Sequence, residues 1–204
     1  MDYQLQSVYK NEENEEEKKE KQGSEAFAEK MLQTRTIILS GEVNKELAEK
    51  VVKQLLLLEE YGDDPIKVFI DSPGGDVDAG FAIYDMMRFI KPDVYTVGMG
   101  LVASAASLIL LASPTEHRIS LPNAHYLIHQ PLSGIRGVAT EIEIHARELE
   151  KLRNKLNNLI SEATGQPIER VEKDTDRDFW MSAEEATEYG LVSKIVKSRF
   201  ELGV

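Results

Sequence analysis

Apolar residues along this chain alternate between two spacings. Arg35–Leu39, Ile66–Ile70 and Val94–Val97 are short runs rich in β-branched residues, and each reads as a strand. Between the first two, Leu47, Val51, Val52, Leu55, Leu56 and Leu58 recur at helical spacing, and Asn44 stands where it can cap that helix. The second strand stops at Asp71–Gly75, and a helix follows from about Asp76 to Phe89, ended ahead of Pro92. Ala103–Ala112 is an apolar run broken only by Ser104 and Ser107, which predicts a buried helix too short to cross a bilayer. Two more strands are expected near His117–Ser120 and Ala124–His129.

The second half is dominated by a long helix over 138–163. Ile142, Ala146, Leu149, Leu152, Leu156 and Leu159 lie on one stripe, and Glu143 can pair with Arg147 on the exposed side. Gly165 can end this helix, and Pro167 suits the first turn of the next. Ser182 with Glu185 forms a capping-box signature for a short helix ending at Gly190, and Leu191–Val196 reads as a last strand. Repeated β–α alternation without internal repeats predicts an α/β layer fold with largely parallel strands.

Composition narrows the function classes. A formal net charge of -12 argues against a nucleic-acid surface, which needs clustered Lys and Arg. There is no cysteine, hence no disulfide framework and no thiolate chemistry. The histidines at 117, 125, 129 and 145 show no metal-ligand spacing, so no metal is expected. Residues 10–21 are almost wholly charged or amide and cannot bury enough surface to order themselves. The expected organisation is a charged, mobile segment over 1–25 followed by one folded domain over 26–204. The first thirty residues hold no apolar run of the secretory kind, which predicts a soluble, cytoplasmic protein with no membrane contact.

Candidate chemistry gathers around Ser104. Gly98, Gly100, Ala103, Ala105 and Ala106 keep side chains away from it, so that a strand can turn sharply into a helix and present the hydroxyl. Acyl transfer needs such a hydroxyl, an imidazole to take its proton, and free backbone N–H groups to hold an oxyanion. Ser107 competes for the first role, although one turn further into the helix its hydroxyl is expected to bond to backbone. His129 and His125 compete for the second, and two-residue alternation places them on the same face. The Ser72–Gly75 turn, with the N–H of Ala105, offers the donors. A third member to orient the imidazole remains open among Asp174, Asp176 and Asp178.

These segments together resemble the proteolytic subunit of the Clp (caseinolytic) protease. The likeness rests on Phe69–Gly75, Met99–Ser104, Leu121–Asn123, Ile128–Leu132, Glu143–Glu148, Thr164–Gln166, Asp174–Asp178, Met181–Ala186 and Glu188–Val192, in order over about residues 34–197. It implies a crotonase-like α/β fold with repeated β–α units and a long handle helix. It implies Ser104 as nucleophile, His129 as general base, Asp178 as the residue orienting the imidazole, and Gly75 and Ala105 as oxyanion donors. Asp176 and Arg177 are then ring-to-ring contacts. Two stacked seven-membered rings, homomeric or mixed with a paralogue, enclose the sites, and a Clp-type AAA+ ATPase unfoldase feeds in unfolded chains. The subunit itself needs no cofactor.

Departures from the family pattern point to a divergent paralogue. Ala105-Ala106 stands where Met-Gly commonly follows the serine, and Asp71 where Asn is common. Ser133 and Val138 interrupt a run usually rich in Gly and Gln, and the charged N-terminal segment has no clear counterpart. Two competing readings follow. One is a weakly active or structural subunit dependent on a paralogue. The other is an acyl-CoA hydratase or lyase of the crotonase type, which leaves the Ser, His and Asp motifs unexplained.

Overall fold

Asn44 accepts the backbone N–H of Leu47 through Oδ1 at 2.9 Å, and from that cap helix α1 runs over Lys45–Glu60. In this computed structural model residues 29–203 are described, so the charged segment expected over 1–25 lies outside the described residues. Contacts along the chain divide after Thr36. On the near side residues 29–33 are helical, and Thr34 Oγ1 donates to the Met31 carbonyl at 2.9 Å.

The other unit is built on a sheet. Strands β1 (Thr36–Ser40), β2 (Ile66–Ser72), β3 (Val94–Ala103) and β4 (Arg118–Ser120) lie side by side, with β7 (Lys194–Ile195) outermost. Strand β5 (His125–Ile128) pairs parallel with β3, and β6 (Phe179–Met181) pairs antiparallel with β5. Helices α2 (Val77–Phe89), α3 (Ala105–Leu110), α4 (Ala139–Thr164), α5 (Ile168–Asp174) and α6 (Ala183–Tyr189) connect them. Leu39, Val51, Val68, Ile83, Val97 and Ile109 are fully buried. Burial of side chains of this size stabilises by roughly 1.5–3 kcal/mol each.

The caps expected at Ser182, Gly165 and Gly190 are present, and Asp76, expected only as the start of its helix, caps it. Asp76 Oδ1 accepts from Ala79 N–H at 2.7 Å, Ser182 and Glu185 close a reciprocal capping box, and Gly165 and Gly190 end their helices with positive φ.

Strand β3 differs from expectation. It continues from Val97 to Ala103, so the helix after it starts at Ala105 rather than Ala103. Gly98 and Gly100 look like strand breakers, yet pairing on both sides carries the strand past them, although Gly100 itself turns left-handed with φ 55. Thr96–Gly98 pair with β4 while Leu101–Ala103 pair with β5, so one strand serves two partners in succession. On the other side the register with β2 slips between Ile70 and Ser72. Asp71 braces that bulge by accepting the Leu101 N–H at 3.0 Å, and a Cβ on Gly100 would stand 2.6 Å from its carboxylate. A Cβ on Gly98 would collide with the Tyr126 hydroxyl. The final strand is two residues long instead of the expected run over 191–196.

Candidate active site

Ser104 sits where β3 turns into α3, with φ 57 and ψ −120. An L-residue at this φ is strained by about 1–3 kcal/mol, and such positions cluster at functional sites. Its N–H is tied to the Leu127 carbonyl at 2.9 Å, which locks the elbow to β5. Although it occupies the N-cap position, its side chain makes no capping bond. The hydroxyl instead lies 2.8 Å from His129 Nε2.

The other imidazole nitrogen, His129 Nδ1, lies 3.0 Å from Asp178 Oδ1. The ladder explains this meeting. Ile128 pairs with Phe179 across β5 and β6, and the next residues outward in antiparallel register are His129 and Asp178. An ionised carboxylate only accepts hydrogen bonds, so Nδ1 carries the hydrogen, and in the neutral ring Nε2 is left to accept from the serine hydroxyl. The His129 side chain is 15% exposed and that of Asp178 61%.

The Ser-Pro-Gly-Gly turn packs directly on the elbow. A Cβ on Gly74 would stand 2.7 Å from Ser104 Cβ and 2.9 Å from Ala105 N. Val43 fastens the turn from outside: its N–H donates to the Gly74 carbonyl at 2.8 Å and its carbonyl accepts from Asp76 N–H at 2.7 Å. Gly74 N–H donates to Ser72 Oγ at 3.1 Å. Among the described residues, neither Gly75 N–H nor Ala105 N–H donates to a protein acceptor. A hydroxyl, an imidazole, a carboxylate and two uncommitted backbone donors are the parts that acyl transfer requires.

The Clp protease family model matches residues 18–199. The chain belongs to the Clp protease family. It is 63% identical over 193 residues to the ATP-dependent Clp protease proteolytic subunit 2 of Treponema denticola, covering 94% of this chain and 96% of that one. Over 172 residues it is 51% identical to proteolytic subunit 3 of Rhizobium etli, covering 84% and 89%. A solved structure of a ClpP1 point mutant from Listeria monocytogenes superposes with a TM-score of 0.82 at 52% identity, covering 86% of this chain and 99% of that one. The family match begins at residue 18, upstream of the residue-34 limit drawn from motifs and inside the charged segment. The α/β fold expected from the resemblance is the one found.

Within this Clp protease chain the rival residues lie elsewhere. Ser107 is buried, and its hydroxyl reaches the carbonyls of Val102 at 3.0 Å and Leu127 at 2.9 Å. The His125 side chain is exposed in β5. Asp174 accepts from the Tyr189 hydroxyl at 3.2 Å and pairs with Arg170 Nε at 3.4 Å. Burial, and then the neighbouring Asp174 charge, push the Tyr189 phenol well above its usual range. Asp176 faces Arg153 Nη2 of the same chain at 3.9 Å, and Arg177 is exposed.

A small apolar slot, about 30 Å³, opens beside the Ser104–His129 pair, with Val77, Leu108, Ile128, Leu156 and Ile160 among its walls. Ala105 contributes only a methyl group to it. Leu156 and Leu159 were visible as members of the helical stripe, but nothing in that spacing said that their end of α4 faces Ser104. Buried Arg118 fixes this end by donating from Nη2 to the Ala163 carbonyl at 2.6 Å and to Thr115 Oγ1. Burial lowers the Arg118 guanidinium to about 10. The opposite end of α4 is bare: Val138 is 65% exposed, Ile142 43% and Ile144 53%. Among the described residues no helix is long and apolar enough to cross a membrane.

Proposed function

We propose that this Clp protease subunit, a serine endopeptidase by family, cleaves peptide bonds through an acyl-enzyme on Ser104. His129 Nε2 takes the hydroxyl proton as Oγ attacks the scissile carbonyl. The oxyanion that forms lies against the N–H groups of Gly75 and Ala105. His129 then returns the proton to the leaving amine, the C–N bond breaks, and a water molecule activated by the same ring releases the acyl group. Asp178 holds the ring in the required tautomer. The observation that carries this reading is the unbroken pair of bonds from Ser104 Oγ through His129 to Asp178. Labelling with a fluorophosphonate and locating the adduct by mass spectrometry tests it. An adduct at Ser104, absent from Ser104→Ala, is the expected result, and an adduct elsewhere with full peptidase activity in Ser104→Ala sinks it.

The apolar side chains left exposed near the start of α4 support assembly into two stacked seven-membered rings, since exposed apolar surface is what an interface covers. Asp176 and Arg177 make contacts between rings in this reading, which their exposure supports. The barrel is either homomeric or mixed with a paralogue. A Clp-type AAA+ ATPase unfoldase delivers unfolded polypeptides in the cytoplasm, and the charged residues 1–25 act in gating or partner docking. Native mass spectrometry of the protein alone and with its paralogue separates the two barrels.

A further inference from the structure

The Asp178 carboxylate is 61% exposed and stands one residue before β6, so the ladder brings it opposite His129 but packing does not hold the side chain there. What holds it is the turn over residues 175–178. Two consecutive carbonyls of that turn are caught by one residue, Gln130. Its backbone N–H donates to the Thr175 carbonyl at 2.7 Å, and its side-chain Nε2 donates to the Asp176 carbonyl at 2.7 Å. A carbonyl accepts only from a donor, so the NH₂ face of the amide is fixed toward Asp176. Thr175 is itself fully buried, and its hydroxyl contacts Asn157 at 2.9 Å and the Val171 carbonyl at 2.8 Å, so the turn is anchored on its far side too.

We infer that Gln130 is a positioning residue whose side-chain amide sets the Asp178 carboxylate against His129. Gln130 follows His129 directly in the chain, so the imidazole and the turn bearing the carboxylate hang from the two ends of one clamp. Without the side-chain bond the turn keeps its Thr175 contact but gains freedom at Asp176, two residues from Asp178. The carboxylate then drifts from Nδ1, and the ring loses the orientation that points Nε2 at Ser104. The inference rests on the proposed roles of Ser104, His129 and Asp178.

The test compares wild type, Ser104→Ala, Gln130→Glu and Gln130→Met in the assembled protein. Gln130→Glu keeps the shape and removes the donor, while Gln130→Met keeps the length and removes polarity. Peptide hydrolysis, fluorophosphonate labelling rate, oligomeric mass and Tm are read for each. The expected result is kcat and labelling rate lowered roughly ten- to a hundredfold in both Gln130 variants, with KM, mass and Tm unchanged. Wild-type rates in both variants overturn the inference and leave the Ser104 reading intact. Loss of rate that comes with lost mass or Tm in both variants makes Gln130 structural and also overturns it. Activity in Ser104→Ala equal to wild type strikes instead at the functional reading beneath it.

Discussion

Gly74 approaches Ser104 so closely that a methyl group on the glycine would stand 2.7 Å from the serine Cβ and 2.5 Å from the Ala103 carbonyl. The φ of Gly74 is +89, a conformation that side-chain-bearing residues avoid. Gly74→Ala is therefore strained twice. The expected outcome is a loss of about 1–3 kcal/mol in stability and a fall in kcat of roughly a hundredfold as the elbow shifts. Chemical denaturation and peptide hydrolysis on the same preparation check both.

The strain at Ser104 itself gives a second expectation. Ser104→Ala and Ser104→Gly both remove the hydroxyl, so neither forms an adduct with a fluorophosphonate. Only glycine relaxes a φ of 57. Ser104→Gly is expected to be more stable than Ser104→Ala by about 1 kcal/mol. Equal denaturation midpoints for the two variants would show that the elbow stores no strain.

Asp178→Asn keeps the size of the carboxylate but lets an NH₂ group face His129 Nδ1. The ring then presents hydrogen, rather than a lone pair, to Ser104. A drop in kcat of roughly a hundredfold or more is expected, with KM little changed. Steady-state kinetics with a fluorogenic peptide decide it, and a drop of less than threefold would remove Asp178 from the orienting role.

Tyr126 has no exposed surface, and burial pushes its phenol up to about 12 despite the bond to Ser120 Oγ at 2.7 Å. In the unfolded chain the phenol titrates near its ordinary value of about 10. Between those pH values the folded state binds more protons than the unfolded state, so stability falls as pH rises through that window. The Arg118 guanidinium, lowered to about 10, acts with the opposite sign over an overlapping range. Comparing wild type with Tyr126→Phe isolates the phenol: the variant is expected to lose less stability from pH 10 to 12, measured by denaturation with urea.

The helices and their caps were legible in sequence because each is a local signal. Asn44, Ser182, Gly165 and Gly190 act within a few residues of where they stand. Strand β3 was misread because its extension depends on partners far along the chain, and Gly98 is glycine to admit Tyr126 rather than to turn. Strand β6 went unseen, being three residues long and preceded by an acidic run. That omission is why the residues alone could not choose among Asp174, Asp176 and Asp178. The choice depends on the pairing of Ile128 with Phe179, a register that no local spacing encodes. Family resemblance named Asp178, and the ladder supplies the physical reason that this carboxylate, and not its neighbours, meets His129.

Helix α4 is clamped at one end and bare at the other. It is 26 residues long, or roughly 39 Å at 1.5 Å per residue. Arg118 grips the Ala163 carbonyl at its root, while Ile142 and Ile144 stand uncovered near its tip. A beam held this way carries its greatest bending moment beside the clamp, however far away the load is applied. In α4 that place is the stretch from Leu156 to Ile160, which walls the slot next to Ser104. A load on the tip of this lever bends the helix where it walls the slot beside Ser104.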